Sequence, residues 1–437
     1  AGGEKNVAVG NYALDALTSG DSNVAVGYRA LSTNTTGHNG AAIGVDALFL
    51  NTTGTHNTAH GSTALYANTT GGANVAVGSR AMEGNTTAAS NIAVGYKALF
   101  TNTTGANNVA IGREALYTNN ASDNTAVGDD ALLANTTGTG NAAVGALAMT
   151  TNTTASNNTA LGYAAMKLNT TGTRNVAVGR TAMHTNTTGN DNAALGYLAL
   201  YTNSTGAENT AVGSDALKLN TEGDENTAVG RSALAANTTG EYNAAFGKYA
   251  LTANTTGNHN VAIGRNNMIA NTTGVRNIAI GSNAYDASDT EDDNIAIGYN
   301  AMTADSAGGT KNIALGNYAA VSMTSGDQNT IIGYEAAGSL NEGSNNVMIG
   351  ARAGFDTVDT TTGNSNVFIG VNVGAGAADH SNSIAIGYDF RSGENVFAFG
   401  KASNVVSNDF TSNATFARSS DLHKKTNIES TDLGLSF

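Results

Sequence analysis

One short motif returns along this chain at a nearly fixed step, and that step constrains the fold more than any other property of the sequence. A clear copy reads Asn23-Val24-Ala25-Val26-Gly27, then Tyr28-Arg29-Ala30-Leu31, and closes on Asn34-Thr35-Thr36-Gly37. The glycine ending the first part recurs 24 times between Gly10 and Gly400, and 19 of the 23 intervals are 17 residues. A repeat this short cannot enclose a globular core of its own. It predicts a solenoid in which each repeat is one coil and stability comes from stacking on the neighbours. The 437 residues would otherwise suggest several globular domains.

Within a coil, positions are counted from that glycine. Two before it stands Ala in the first 19 copies, from Ala8 to Ala314. One and three before it stand Val, Ile, Leu, Phe, Thr or Ala, so the stretch alternates with period two and reads as a strand. The flanking pair shares one face and the Ala takes the other. A position that never exceeds a methyl group implies a backbone close by, so both faces should be occupied: one inside the coil, one against something else. Three and four after the glycine comes Ala-Leu or Ala-Met, as in Ala47-Leu48 and Ala182-Met183. This is a second apolar side, either a short strand or a single helical turn. The Asn-Thr-Thr-Gly corner uses residues that tolerate left-handed backbone. Asn also precedes the strand in 21 of the 24 copies, and stacking would align these amides into ladders. The expected fold is all-β: a parallel β-solenoid or β-roll of about 24 coils, on the order of 115 Å long at the ~4.8 Å strand spacing.

Composition excludes several functions. There is no Cys, Pro or Trp, and only 12% of residues are charged. Disulfides and thiolate metal sites are therefore out, and absent proline suits a backbone whose N–H groups are claimed by ladders. A net charge of −14 argues against a nucleic-acid partner, which needs Lys/Arg stripes. No apolar run reaches the ~18 residues of a membrane span, and no signal peptide is visible. The chain starts inside a repeat, so a natural N-terminal segment with any anchor or address is expected to lie upstream.

The pattern drifts late in the chain. The strand Ala becomes Ile331, Met348 and Phe368, while the Ala-Leu pair becomes Ala336-Ala337 and Ala353-Gly354. Bulk at the Ala position implies that the close neighbour has moved away or changed shape. The step lengthens to 20 residues between Gly350 and Gly370, a place for a projecting loop, and shortens to 13 before Gly400. The expected organisation is a repeat shaft over 1–400, a polar connector over 401–418 and a separate terminal segment over 419–437.

The Asn-x-Val-Ala-Val/Ile-Gly unit resembles the head repeats of trimeric autotransporter adhesins of the YadA type, and the longer Asn-Thr-Thr-Gly arrays of bacteriophage fibres and bacterial surface proteins. The resemblance covers residues 1 to about 400 and implies a parallel β-roll with three chains around one axis, a homotrimer. The period of 17 exceeds the usual adhesin-head period, so the corner or second side must differ. The tail, Ser419-Ser420-Asp421-Leu422-His423-Lys424-Lys425-Thr426-Asn427-Ile428, is similar to the start of the endosialidase-type intramolecular chaperone of phage tail fibres. That resemblance implies self-cleavage between Ser419 and Ser420, with Ser420 as nucleophile and Lys425 as general base. His423 stands where the family has Arg, which bears on how efficiently this copy cuts, and only the first residues of the chaperone are here.

Other candidate sites weigh less. His60 is the one polar residue at the position next to the glycine. On a threefold axis three copies would converge on a metal or an anion; alone, it is a tolerated surface histidine. The Asn-Thr-Thr triplets match the N-glycosylation pattern but read more simply as corner residues. Paired threonines invite an ice-binding reading, although Thr arrays that bind ice sit on alternate residues of a flat strand. Tyr28, Tyr96, Tyr163, Tyr197, Tyr299, Tyr334 and Tyr388, just after the glycine, share their position with Arg, Ser and Asp and should be exposed, where rings can stack on sugars. The acidic run 286–293 offers carboxylates for Ca²⁺ without a calcium-roll spacing, and a solvated turn fits it better. No constellation for catalysis on an outside substrate stands apart from the repeat, and no cofactor is implied.

These readings converge on the shaft of a viral or phage tail fibre, extracellular or on the virion surface. It would space an element that binds a host-cell receptor, a glycan or a protein, and would end in a self-cleaving assembly chaperone. A bacterial surface adhesin or filament subunit is the alternative, and an ice-binding protein the third.

Overall fold

A computed structural model describes residues 3–304, 308–355, 362–411 and 417–418. The chain divides into two compact units, Ala1–His259 and Asn260–Phe437, and both are all-β.

The first unit is a parallel β-solenoid of fifteen three-residue strands, from β1 (Val7–Val9), β2 (Val24–Val26) and β3 (Ala41–Ile43) to β15 (Ala244–Phe246). Each strand pairs with the next in register one repeat on: Val24 faces Ala41, Ala25 faces Ala42 and Val26 faces Ile43. The single 16-residue step keeps this register, Val109 facing Thr125, because the residue is lost in the corner. There the Asn120 side chain accepts the Thr103 and Thr104 N–H groups at 3.0 Å, standing in for a backbone carbonyl.

The strand Ala points inward and is fully buried, as at Ala25 and Ala42. The backbone close to it is therefore the far side of its own coil. The flanking residues point outward, so the expectation that both strand faces are occupied does not hold within the single chain.

The second apolar side is neither a strand nor a helical turn. It is a run of turns in which the backbone enters the left-handed region three times: Gly27 at φ 137°, Arg29 at 54° and Leu31 at 49°. Left-handed backbone at Arg and Leu is unfavourable alone, and it is held by hydrogen bonds to both neighbouring coils. Leu31 N–H donates to Ala47 O at 3.0 Å, and Arg29 N–H donates to Asn11 O at 3.0 Å. The two left-handed N–H groups thus reach opposite neighbours, while Ala30 N–H between them donates to Gly27 O of its own coil at 3.5 Å, which pairs the backbone without a strand. Ala30 and Leu31 are thereby buried against the strand Ala. At Gly27 a side chain is barred twice, by the φ and by the Gly44 carbonyl that any Cβ would overlap.

Two asparagine columns close the coil. In the corner, Asn51 Nδ2 donates to Asn34 Oδ1 of the previous coil at 3.0 Å and to its own Gly54 carbonyl at 3.1 Å. Before the strand, Asn74 N–H donates to Asn57 Oδ1 at 3.0 Å, and Asn74 Nδ2 donates to Ala88 O at 2.9 Å. All of these side chains are buried, so the ladders satisfy polar groups that would otherwise be costly.

The second unit continues the pattern through β16 (Val261–Ile263) to β21 (Val347–Ile349), then lengthens into β22 (Val367–Ala375) and β23 (Ile384–Ser392). Strand register again survives the irregular steps, with Ile295 facing Ile313, Val347 facing Val367, and Ile384 facing Phe397. Of the two expectations for the bulky residues at the Ala position, the structure shows the second: the neighbour stays and changes shape. The bulky residues exchange volume across the coil interior: Ile331, Met348 and Phe368 are buried where the opposite side has shrunk to Ala337 and Gly354, and Met323 and Leu340 replace the corner Asn. A Cβ at Gly354 would overlap Met348 Sδ. In the polar stretch expected over 401–418, the described residues 401–411 and 417–418 carry strands. β25 (Asn404–Asp409) folds back antiparallel on β24 (Val396–Lys401), and β26 (Ala417–Arg418) pairs antiparallel with β25.

Candidate functional site

Because a thin coil admits only Ala on the inner side of its strand, the residues on either side of that Ala are placed on the outside. Stacking then aligns them into two parallel columns along each unit. In the first unit these columns carry Val24, Ile43, Ile92, Ile111, Leu161, Val176, Leu195 and Phe246, all exposed; in the second, Ile263, Ile313, Leu315, Ile369, Ile386 and Phe399. Leu195 keeps 50% of its surface in solvent and Phe246 41%. Among the described residues, neither column contains a single Asp, Glu, Lys or Arg. Six threonines and His60 are its only polar members.

The next column, just after the glycine, forms the rim of this face. It holds the exposed Tyr28, Tyr96, Tyr163, Tyr197, Tyr299, Tyr334 and Tyr388, as expected, interleaved with Arg and Ser. Arg180 lies 5.9 Å from the Tyr163 ring centroid and 6.0 Å from that of Tyr197, joining three coils by cation–π contacts. An apolar, charge-free centre bordered by Tyr and Arg is the composition of a protein–protein interface. The sequence contained the signal, since a position that is never charged in 24 copies is conspicuous. What it lacked was the knowledge that this position points outward.

The other candidates are placed as follows. His60 sits exposed in β4 (Thr58–His60), between Ile43 and Val77 in the neighbouring strands. It interrupts the apolar face, and among the described residues of the single chain no three His, Cys, Asp or Glu side chains group to hold a metal. Ser419, Ser420 and Lys425 lie outside the described residues, as do residues 356–361 of the 350–370 insertion. In the acidic run, Glu291 is buried and accepts Ser288 Oγ at 3.1 Å and the Asp289 and Thr290 N–H groups at 3.0 and 3.1 Å. Its charge closes the turn and does not face outward. The corner Asn amides are buried and bonded, out of reach of a glycosylating enzyme, and Thr35 Oγ1 is spent on the Thr52 carbonyl at 3.1 Å.

Charges elsewhere pair along the stack. Arg174 donates to Asp191 at 2.6 and 2.7 Å and holds its carboxyl below the usual range; Arg276 does the same to Asp293. Burial, helped by the charge of Lys167, pushes the His184 imidazole below its ordinary value.

No helix is long and apolar enough to cross a membrane among the described residues. The chain matches no family model, no curated protein and no solved structure.

Proposed function

We propose that this chain is a length of fibre shaft of the tail-fibre type, in which identical chains associate side by side through the strand face as a homotrimer. It works outside the cell or on a virion, spacing a receptor-binding element from an anchor. Ser420 and Lys425 belong in this reading to an assembly chaperone that cuts itself away before Ser420.

The observation that carries the reading is the charge-free apolar face. In the first unit fifteen strands at ~4.8 Å make it about 70 Å long, and two side-chain columns make it roughly 10 Å wide. That is on the order of 700 Å², more than a monomer ordinarily leaves to water and close to one partner's share of a stable interface. A second copy is the occupant that fits, because only a surface with the same axial repeat can fill every level. Bulk within a level supports alignment of like with like: in this unit Leu161, Leu195 and Phe246 each share their strand with Thr159, Ala193 or Ala244. The number three comes from the resemblance to trimeric adhesin heads.

The test is the native mass of the full chain in solution. The expected particle contains three chains of 43.9 kDa, and Ile111→Asp with Leu161→Asp and Leu195→Asp reduces it to one. A wild-type chain that sediments as a monomer refutes the proposal.

A further inference from the structure

The turn side of the first unit, opposite the strand face, carries its own columns at two, five and six residues after each glycine. In the five-after column, rings of adjacent coils stack: Phe49 on Tyr66 at 5.3 Å and Phe100 on Tyr117 at 5.1 Å, with planes 21° and 15° apart. The coil spacing thus equals the stacking distance of flat groups. One coil leaves its rung empty. The coil of Gly230 has Ser232, Ala235 and Ala236 at these three positions, while the coil before it has Asp215, Lys218 and Leu219 and the coil after it has Tyr249, Thr252 and Ala253, with Thr252 Oγ1 donating to Ser232 O at 3.0 Å. The result is a depression of about 410 Å³, open to solvent.

We propose that this slot binds one pyranose ring of a glycan. The coils on either side of the empty rung are about 9.6 Å apart, so a ring at the vacant level lies ~4.8 Å from each wall. Tyr249 supplies a flat wall, with Lys248 Nζ 4.7 Å and Arg231 Cζ 5.8 Å from its ring centroid. The methyl groups of Ala235 and Ala236 form an apolar floor suited to the C–H face of a sugar. At the rim, the Asp215 carboxylate, paired with Lys218 at 3.2 Å, accepts sugar hydroxyls, and Ser232 offers a second polar contact. An aromatic ligand would fill the width and leave Asp215 and Ser232 unused. An ion would use the carboxylate and leave the apolar floor and the ring unused. A pyranose uses both, with the mix of apolar lining and few polar groups common to small-ligand sites. The slot does not depend on how chains associate, because it lies on the other side of the coil from the strand face.

The experiment is saturation-transfer NMR on the full chain with glucose, galactose, mannose, N-acetylglucosamine and fucose, each at millimolar concentration. At least one sugar receives saturation from the wild-type protein. Ala235→Phe, which fills the empty rung with a ring like Phe49, weakens that transfer about ten-fold or more, and so does Tyr249→Ser. The second variant keeps the test decisive should the first fail to fold. Absence of transfer to all five sugars, or transfer that survives both substitutions, overturns the proposal. A change in native mass on Ala235→Phe would assign the slot to a neighbouring copy's side chain and overturns it equally.

Discussion

Replacing the corner residue Asn169 by Leu removes one link from a buried chain of amides, and its cost follows from the bonds around it. Asn169 Nδ2 donates to Asn152 Oδ1 and to Gly172 O, both at 2.9 Å, and its Oδ1 accepts Asn186 Nδ2 at 2.8 Å. Asn186 in turn donates to Gly189 O at 3.0 Å and accepts Asn203 Nδ2 at 2.8 Å. Each single Leu variant loses three hydrogen bonds, and the double variant loses five, because one bond is common to both. At about 1 kcal/mol per bond, and more where a buried partner is left unpaired, each single change costs ~3 kcal/mol or above. The pair then costs at least ~1 kcal/mol less than the sum of its parts, since no orphaned end remains between positions 169 and 186. The chain itself uses this rule, for Met323 and Leu340 hold the corner in consecutive coils. Hydrogen exchange of the amides in coils around residues 152–203 reads local opening and supplies the two single costs and the double cost. Costs that add, or a pair worse than additive, would refute the view that the ladder is a line of mutually dependent bonds.

Other outcomes follow from the same contacts. Gly354→Leu collides with Met348 although Leu31 adopts left-handed backbone at the equivalent position; it should destabilise its unit by more than ~2 kcal/mol, and Met348→Ala should recover most of the loss in thermal unfolding. His184 is held neutral by burial, so its contribution is full above its ordinary value of 6.5 and falls as pH drops through 6.5 towards the lowered value. His184→Phe, matching the Phe–Tyr pairs elsewhere in the column, should flatten the local hydrogen-exchange profile below neutral pH, and a profile unchanged by that substitution would count against the assignment. If copies meet at the strand face, zinc should raise the melting temperature of the wild-type chain and not of His60→Val; equal behaviour removes the metal role of His60. In a full-length precursor Ser420→Ala should abolish cleavage before that residue, read by mass spectrometry, and continued cutting would eliminate the proposed nucleophile.

Period, strand and ladders were legible in the sequence because each leaves a mark at fixed spacing: the glycine, the small residue two before it, and the amides at the two bends. The turn side was not legible. Ala30-Leu31 is equally at home in a strand or a helical turn, and nothing in a Leu side chain announces left-handed backbone. Hydrogen bonds from two neighbouring coils impose that conformation, and they exist only after stacking. The orientation of the strand was hidden for a related reason. A small residue beside larger apolar ones usually faces a close contact while the larger ones fill a core, yet here the core is too thin for Val26 and Ile43 and takes Ala25 and Ala42 instead. At Met348 and Gly354 the sequence showed both changes, but only their overlap in space reveals that one compensates the other.

Within the first unit, the in-register pairing of successive strands, all but one step 17 residues long, has an evolutionary corollary. Each coil within a unit meets the next through the same contacts, so a gene that gains or drops one whole repeat creates no junction the protein does not already contain. Only the reach of the array changes, by a step of ~4.8 Å. Copy number can therefore change while fold and surface chemistry stay put, which makes length the trait on which selection can act most cheaply.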